Sequence, residues 1–398
     1  MRLAYLVCDP GIPIGGTKGA SVHVASLSRA LAAIGVEVTL FAPKVLDPRI
    51  PGVEVVEVPV GPVPSGPAGE LRRIEAARVF YEQVAQRLEG TECDLVMERL
   101  ALFADGGGLE RRLGVDRLVE VNAPVAAERE AHFVLAYRDA AEDAEARALA
   151  GATVVAVSQP LAEWALARGA ATAEVIPNGA DTSLLDPARW GAEGARLRAE
   201  LGFGDLPVIG FVGSLKPWHG VESIFSAAER LAGSHHFGLL VVGDGPGHEM
   251  VQAGLARFDG RVTAVATGAV PADAVPSYLA AMDVAVAPYL PSASFYFSPL
   301  KVAEAMAAGK AVVASDFPPV RELLGDCGLL VPAGDATALA GALEKLIGSA
   351  DLRAELGERA RTRALERADW VGVARRTISA AQSAKRSASP EGARAANS

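Results

Sequence analysis

Three polar residues stand at the start of an alanine-rich helical segment in the second half of the chain. Ser298, Lys301 and Glu304 lie within residues 294–309, and the last two are three positions apart. Side chains with this spacing share one face of a helix. Amides at a helix start attract anions, so with Ser298 and Lys301 they could cradle a diphosphate. Glu304 could accept hydrogen bonds from a ribose diol.

The alternative for this segment is a surface ion pair, which contributes only tenths of a kcal/mol. Pro299 and Leu300 fit the first turn of the helix, where the missing N–H of proline costs little. Residues 305–309 continue the helix with small, apolar side chains that indicate burial. The segment therefore favours a ligand site over an exposed ion pair.

A glycine-rich loop, residues 11–21, follows the first apolar run and opens a helix. Glycines let backbone amides approach an anion closely, and the helix start adds partial positive charge. The loop lacks the GxGxxG spacing and the later acidic residue that a nicotinamide site needs. An anion site and a tight strand–helix turn both fit it.

A further loop, residues 211–220, follows the first strand of the second half. In open α/β sheets, ligands bind beyond the carboxyl ends of the strands. Lys216 could neutralise a phosphate there, and His219 could donate a hydrogen bond to it. The alternative is an ordinary solvated lysine, which a lone lysine in a loop favours.

These loops must be positioned by strands, and the chain alternates short apolar runs with helical segments. Nearly continuous apolar strands separated by helices predict parallel sheets covered on both faces, a doubly wound α/β pattern. The first half carries such runs at residues 3–8, 36–41, 53–59, 94–97, 117–121, 153–157 and 174–178. The second half repeats the pattern at residues 208–212, 237–242, 262–267, 284–287, 311–314 and 328–331.

The two halves are joined by residues 180–204, which have no strand character. Two domains are also what a chain of 398 residues accommodates comfortably. We predict four regions: an N-terminal Rossmann-like domain over 1–183, a C-terminal one over 184–370, a helix over 371–384 that can pack back on the N-terminal domain, and a disordered tail over 385–398.

Charge and hydropathy exclude several classes of partner. The formal net charge is −10, which argues against nucleic acid as a partner and leaves at most peripheral contact with a membrane. No apolar segment approaches the roughly 20 residues that span a bilayer, and the N-terminus lacks a signal-peptide core. We therefore expect a cytoplasmic protein.

Neither a metal nor a cofactor is expected. Cys8, Cys93 and Cys327 lie far apart without CxxC spacing, which indicates reduced core thiols. The chain contains no HExxH motif and no Asp-x-Asp pair of the kind that holds manganese and a nucleotide.

Taken together, the segments resemble the retaining glycosyltransferases of family four, whose GT-B fold has two facing Rossmann-like domains with an interdomain cleft. Residues 176–181 look like the interdomain Pro-Asn-Gly signature, and residues 242–246 look like the Gly-Asp-Gly-Pro turn. Residues 267–270, followed by residues 275–288, resemble the base-binding loop and the strand after it. The order and spacing of these motifs make the resemblance specific, and it extends to about residue 370.

By that resemblance, Lys216 and Lys301 would neutralise the leaving diphosphate of a nucleotide-sugar donor, most often UDP- or GDP-linked. Glu304 would match the second glutamate of the Glu-x7-Glu motif and hold the donor ribose. The donor is a substrate, so no cofactor is implied.

Other donor contacts come from backbone positions of the same motifs. Gly243 would belong to the donor-binding turn, and the backbone near Val270 would recognise the base. Gly16 or Gly19 in the N-terminal loop would approach the phosphates or the transferred sugar, and Gly19 fits better by its distance from the helix.

Two departures from the family pattern affect this donor site. Tyr296 occupies the position of the first glutamate of the motif, which in the family lies beside the donor sugar. Ser214 and His219 align with the usual Arg and Lys of the phosphate loop, and Lys216 is interpreted as their substitute. A subgroup variant explains these departures better than an inactive enzyme does.

The N-terminal half would bind the acceptor. Glu98 and Arg99 follow one strand, and Asn122 follows the next, so their side chains could face the cleft. By the resemblance, Asn122 lies where the family often places a polar residue near the reacting sugar, and we assign it to the catalytic set with both lysines. Glu128 is a further acceptor candidate, although its segment favours the alternative of a charged helix face.

The sequence therefore predicts a metal-independent, retaining transfer of a sugar to a hydroxyl acceptor, in glycan, glycolipid or natural-product biosynthesis. A nucleotide-sugar epimerase of the same fold is the alternative enzyme. A non-catalytic protein that binds sugar nucleotides is the alternative from another class, and Tyr296 is the feature that favours it. The donor sugar, the acceptor and the oligomeric state stay open.

Overall fold

The computed structural model describes residues 1–64, 66–106, 108–258, 260–292 and 295–388. By its internal contacts the chain divides into two compact units, Met1–Pro177 together with Val371–Ser398, and Asn178–Trp370. We call them the first and the second unit. The first unit thus ends a few residues before position 183, and the segment after Trp370 groups with it.

The first unit alternates strands and helices almost throughout. Its strands are β1 (Arg2–Leu6), β2 (Glu37–Ala42), β3 (Val53–Glu57), β4 (Leu95–Arg99), β5 (Asp116–Val121), β6 (Thr153–Ala156) and β7 (Thr172–Val175). Its helices are α1 (Gly19–Ala33), α2 (Pro67–Leu88), α3 (Leu109–Leu113), α4 (Val125–His132), α5 (Arg138–Leu149) and α6 (Gln159–Ala167).

The sheet of the first unit is parallel, with the strand order β3-β2-β1-β4-β5-β6-β7. The order reverses between β1 and β4, and in doubly wound folds such a switch point opens a crevice beyond the strand ends. Apolar side chains of the central strands are buried, because helices cover both faces of a parallel sheet.

The second unit repeats this plan. Its strands are β8 (Val208–Val212), β9 (Gly238–Val242), β10 (Thr263–Ala266), β11 (Val284–Ala287), β12 (Ala311–Ser315) and β13 (Leu329–Val331). Its helices are α7 (Pro187–Glu200), α8 (Val221–Leu231), α9 (His248–Ala256), α10 (Val275–Ala281), α11 (Leu300–Ala307), α12 (Pro318–Leu324), α13 (Ala336–Gly348) and α14 (Ala350–Arg367), and α15 (Trp370–Ala388) leads out of this unit.

The sheet of the second unit has the order β10-β9-β8-β11-β12-β13 and is also parallel. Its switch point lies between β8 and β11. Two parallel, doubly wound sheets confirm the predicted fold class. Each predicted apolar run overlaps a strand of the structure, although the run at 174–178 shares only residues 174 and 175 with β7.

Two predictions about the connecting segments need correction. Residues 180–204, expected to be a connection, contain the helix α7, which the Asp186 side chain caps by accepting from the amide of Ala188 at 3.1 Å. The expected tail at 385–398 begins too early, because α15 continues to Ala388. Residues 389–398 lie outside the described part of the chain.

Among the described residues, none of the helices has both the length and the apolarity that a bilayer crossing requires. The three cysteines are free thiols; Cys8 and Cys327 are buried, and Cys93 is half-buried.

Candidate functional site

The switch point of the second unit is bordered by two loops, one after β8 and one after β11. The first loop is residues 213–220, and the second leads from Pro288 to α11. Because β8 and β11 are neighbours in the sheet, both loops leave the same edge, where ligands of doubly wound folds bind. Of the second loop, residues 293 and 294 lie outside the described part of the chain, and Ser294 of the predicted motif is one of them.

Two glycines allow the backbone to pack tightly at this edge. Gly213 and Gly243 have φ angles of 141° and 135°, which side-chain-bearing residues rarely adopt. A Cβ on Gly243 would lie 1.9 Å from the carbonyl oxygen of Gly213. The amide of Leu215 also donates to the carbonyl of Asp244 at 3.0 Å, so the loop after β8 is fixed to the turn that contains Gly243.

Lys301 enters this edge from the first turn of α11. Its Nζ lies 4.4 Å from the centre of the Phe211 ring and 5.0 Å from that of Tyr289, two cation–π contacts. The Nζ atom is enclosed and has no hydrogen-bond partner among the described residues. A buried ammonium can donate three hydrogen bonds, so this one is prepared for acceptors that are not part of the protein.

Burial shifts the ionisation of the lysine and of Glu304 in opposite directions. Burial lowers the pKa of Lys301 to about 7; Glu304 counters this shift, and Lys216 adds to it. Burial raises the pKa of the Glu304 carboxyl, against the attraction of Lys301. Both charged forms are therefore destabilised in this structure, and an anionic ligand would restore the ammonium.

Lys216 differs from Lys301 in its surroundings. Its side chain is exposed, and its Nζ lies 4.8 Å from the centre of the Trp218 ring. It acts on Lys301 through charge repulsion, so the two ammonium groups contribute to one positive field. Ser214, in the same loop, is also exposed.

His219 is held in a defined orientation. Its Nδ1 donates to the carbonyl oxygen of Ser214 at 2.6 Å, which leaves Nε2 with the lone pair when the ring is neutral. Burial, followed by repulsion from Lys301 and Lys216, lowers the pKa of His219 to about 3. The expected hydrogen bond from His219 to a phosphate thus requires that the ligand first protonate the ring.

Ser298 and the start of α11 are tied to the segment that opens the second unit. The hydroxyl of Ser298 accepts from the amide of Asn178 at 2.8 Å, and its carbonyl accepts from the Asn178 side chain at 2.8 Å. Pro299 is the residue that precedes α11, and Leu300 is its first residue. Contact of Ser298 with a diphosphate stays a prediction.

The remaining donor residues fall on two different units. In the second unit, Gly243 donates to the carbonyl of Gly268 at 2.9 Å, and Val270 follows this pair, half-buried against the core. In the first unit, Gly19 begins α1, whereas the amide of Gly16 already donates to Pro13 at 3.1 Å. Of the two glycines, Gly19 therefore has the more available position for an anion.

The predicted acceptor residues of the first unit are mostly engaged inside it. Glu98 has no exposed surface and accepts hydrogen bonds from Tyr81 and, at 2.9–3.1 Å, from Arg117. Arg99 is 8 % exposed and donates to Glu120 at 3.4 Å. These partners indicate framework roles for both side chains, and their contact with an acceptor stays a prediction.

Asn122 and Glu128 are half-buried at and beyond the carboxyl end of β5. The Nδ2 atom of Asn122 is enclosed and has no hydrogen-bond partner among the described residues. Like the Nζ of Lys301, it is a donor prepared for an oxygen that the described residues do not provide.

Sequence reasoning missed the aromatic rings that enclose Lys301. Tyr289 comes two residues after β11, and Phe211 lies in β8, so both positions are at the predicted strand ends. An aromatic residue in the last part of an apolar strand, or within two residues of its end, was the available signal. It also missed His23, which is buried on α1 and hydrogen-bonds to Glu120.

The edge of the second unit can therefore bind an anion with one enclosed and one exposed lysine. A carboxyl group, Glu304, lies one helical turn from the enclosed lysine. Among the described residues, no group of three or more His, Cys, Asp or Glu side chains is arranged to hold a metal ion.

Two family models match this chain. Residues 17–184 match the model described as Glycosyltransferase Family 4, and residues 206–349 match that described as Glycosyl transferases group 1. The matches cover the helix after the glycine loop and both loops at the switch point of the second unit.

Individual proteins extend the similarity over nearly the whole chain. A phosphatidyl-myo-inositol mannosyltransferase of Mycolicibacterium smegmatis is 29% identical over 395 residues, which cover 94% of this chain and 91% of the relative. A D-inositol 3-phosphate glycosyltransferase of Acidothermus cellulolyticus is 29% identical over 376 residues, 86% of this chain and 80% of the relative.

Among solved structures, Anabaena HepE in complex with UDP superposes with a TM-score of 0.71 at 21% identity, and the match covers 96% of this chain and all of that one. At this identity the likeness establishes the fold.

Proposed function

The chain belongs to glycosyltransferase family 4, the glycosyl transferases group 1, and on that premise we propose that it uses a nucleotide-diphosphate sugar as its donor and retains the anomeric configuration. The observation that carries the proposal is the enclosed, unpartnered Nζ of Lys301 at the switch point of the second unit. A diphosphate supplies the acceptors that this ammonium lacks. Glu304 on the same helix face then holds the ribose.

The proposed transfer breaks the bond between the anomeric carbon and the diphosphate oxygen and forms one to the acceptor oxygen. Lys301, Lys216 and the first amides of α11 stabilise the negative charge that develops on the leaving diphosphate. The acceptor proton passes to an oxygen of the leaving phosphate on the same face, so the configuration is retained. Asn122 donates a hydrogen bond to an oxygen of the reacting sugar or acceptor.

Support for the substrates comes from the related proteins. HepE was solved with UDP, which fits a uridine-linked donor, and the two named relatives act on an inositol-bearing lipid and on an inositol phosphate. A cyclitol presents several secondary hydroxyls on a rigid ring, which are acceptors of the proposed kind. We therefore propose a cyclitol or cyclitol conjugate as the first acceptor class to test.

The donor site is tested by calorimetric titration with UDP, GDP, ADP and dTDP, each compared with inorganic pyrophosphate. One nucleotide should bind more tightly than the others. Glu304→Gln should weaken that nucleotide about tenfold and leave pyrophosphate unchanged, because the lost hydrogen bonds belong to the ribose. Glu322→Gln, on α12 of the same unit, is the control and should leave both titrations unchanged.

The reaction is then followed as nucleotide release from the matching sugar nucleotide, with and without myo-inositol and its phosphate. Release that requires an acceptor supports the transferase, and the anomeric proton of the product reports retention or inversion. Conversion of the donor without acceptor would favour the epimerase. Tight donor binding without any turnover would favour the binding protein, and no binding to any diphosphate would overturn the proposal.

A further inference from the structure

The first unit contains a carboxylate that is buried but fully partnered. Glu120 lies near the carboxyl end of β5 and is 2 % exposed. It accepts a hydrogen bond of 2.6 Å from the hydroxyl of Tyr5 and a longer one of 3.4 Å from Arg99, and it contacts the Nε2 of His23. We call these four residues the Glu120 cluster.

The cluster holds its charge despite its burial. Burial raises the pKa of the Glu120 carboxyl, but attraction to His23 and Arg99 and the hydrogen bonds from His23 and Tyr5 outweigh it and hold the pKa well below its usual range. The partners therefore favour the carboxylate over the carboxylic acid, and hydrogen bonds to a charged acceptor are stronger than those to a neutral one.

Each member of the cluster comes from a different element. Tyr5 lies on β1, Arg99 on β4 and Glu120 on β5, which are three consecutive strands of the sheet, and His23 lies on α1. The strand order reverses between β1 and β4, so the cluster lies beside the switch point of the first unit. The contacts of the Glu120 cluster connect α1 to the three strands whose ends border the crevice.

Two segments that leave these elements could contact a ligand. The glycine loop, residues 11–18, runs directly into α1 and ends one turn before His23. Asn122 follows Glu120 by two residues and carries the enclosed, unpartnered Nδ2. Movement of α1 or of the end of β5 would displace one or both of them.

Glu98 is a second buried carboxylate of this sheet, and its partners indicate a structural role that can be compared with that of Glu120. It is equally buried on the neighbouring strand and is also held by one tyrosine and one arginine, Tyr81 and Arg117. By register it lies on the opposite face, because Arg99, one residue further on, pairs with Glu120. Its partners connect β4 to α2 and to the beginning of β5, and neither Tyr81 nor Arg117 lies on α1.

We infer that Glu120 is a positioning residue, which holds the glycine loop and Asn122 in register at the switch point of the first unit so that both can contact the reacting sugar. This inference rests on the proposed function for its catalytic consequence. The structural part of the inference does not depend on the proposed function, because the geometry of the two segments can be measured without turnover.

The test compares Glu120→Gln with Glu98→Gln, two substitutions of the same shape and burial. Hydrogen–deuterium exchange is measured on peptides that cover residues 11–21 and 121–126. Glu120→Gln should accelerate exchange in both peptides, and Glu98→Gln should leave both unchanged. Tyr5→Phe, which removes a single donor, gives the same readout at smaller amplitude if Glu120→Gln does not fold.

Kinetics separate positioning from loss of stability. With the donor and acceptor found above, Glu120→Gln should lower kcat by about tenfold to a hundredfold, since a small displacement of a reacting group has effects of this order. The affinity for UDP should change much less than kcat, because the proposed diphosphate contacts of Lys301 and Lys216 lie in the second unit. Glu70→Gln is the control for kcat, because Glu70 is a carboxylate of the first unit that is 1 % exposed and accepts from the amides of Ala136 and Tyr137. It should retain kcat even where it lowers Tm.

Equal effects of Glu120→Gln and Glu98→Gln on exchange, together with equal effects of Glu120→Gln and Glu70→Gln on kcat, would overturn the inference and make Glu120 a purely structural residue. Should no donor or acceptor give turnover with the wild type, the proposed function fails, and the exchange experiment still decides whether Glu120 holds the two segments.

Discussion

Each of the two sheets of this protein has a buried charged residue beside its switch point, and the two residues differ in the sign of the charge and in whether it is paired. Each has a switch point, between β8 and β11 in the second unit and between β1 and β4 in the first. Beside the one, Lys301 is enclosed with no hydrogen-bond partner among the described residues. Beside the other, Glu120 is enclosed with hydrogen-bond donors from three elements.

The difference indicates which charge serves a ligand and which serves the fold. A buried charge is costly unless it is paired, so a saturated one stabilises the arrangement of its partners. A buried charge without hydrogen-bond partners stays destabilising until a ligand of opposite charge pairs with it. On the proposed function, Lys301 would therefore serve binding, and Glu120 would serve the geometry around Asn122.

The largest expected effect is on diphosphate binding by Lys301→Met. Loss of an enclosed charge that pairs with the ligand should weaken the binding free energy of the diphosphate by about 3 kcal/mol, which raises the Kd roughly a hundredfold. The change in stability should be small, because the ammonium has no hydrogen bond to lose. Calorimetry with UDP and pyrophosphate, together with the thermal midpoint, measures both.

Lys310→Met is the matched control for this substitution. Lys310 is also buried enough to lower its pKa, to about 8, but its Nζ donates to the carbonyl of Ala280 at 3.2 Å and is attracted by Asp283. Its substitution should lower stability by about 1 kcal/mol and leave binding unchanged. A large loss of stability in Lys301→Met, with unchanged binding, would contradict the division between the two switch points.

A second, smaller effect should appear in the pH dependence of binding. Burial lowers the pKa of Lys301 to about 7 in the free protein, and a bound diphosphate should raise it again. Affinity for the diphosphate should therefore fall by up to about tenfold per pH unit as the pH rises above 7. Titrations between pH 6.5 and about 9 measure the slope.

The contribution of Lys301 to the stability of the free protein should change with pH in the direction opposite to the change in affinity. The unfolded chain keeps the proton of Lys301 up to the usual lysine pKa, whereas the folded chain loses it from about pH 7. The contribution of Lys301 to stability should therefore increase between these two values. Lys301→Arg, which stays charged, should remove the pH slope of binding; a slope that persists would assign it to another group.

The sequence predicted the strands well, because a parallel strand buried on both faces is a continuous apolar run. Residues 208–212 and 284–287 coincide with β8 and β11. The helix α7 was missed because its 14 residues carry two glycines and a mostly polar face, although Asp186 and Pro187 gave a helix-start signal.

The sequence predicted only those contacts of the candidate site whose residues lie close together along the chain. Lys301 and Glu304 share a helix face, which their spacing shows. The rings around Lys301 come from β8 and β11, whose adjacency follows from the sheet order. The Glu120 cluster is less accessible still, since Tyr5 and His23 precede Glu120 by 115 and 97 positions.

The smallest expected effect concerns Lys216, and it tests whether enclosure or charge alone makes Lys301 important. Lys216 is exposed and shares the positive field of the site, so Lys216→Ala should weaken diphosphate binding only about threefold to tenfold at low salt. This effect should disappear in 1 M salt, where the Debye length is about 3 Å, whereas the effect of Lys301→Met should persist. Titrations of both variants at low and high salt decide the matter. Equal salt sensitivity would mean that solvent reaches both lysines alike, and the contrast with the Glu120 cluster would then lose its physical basis.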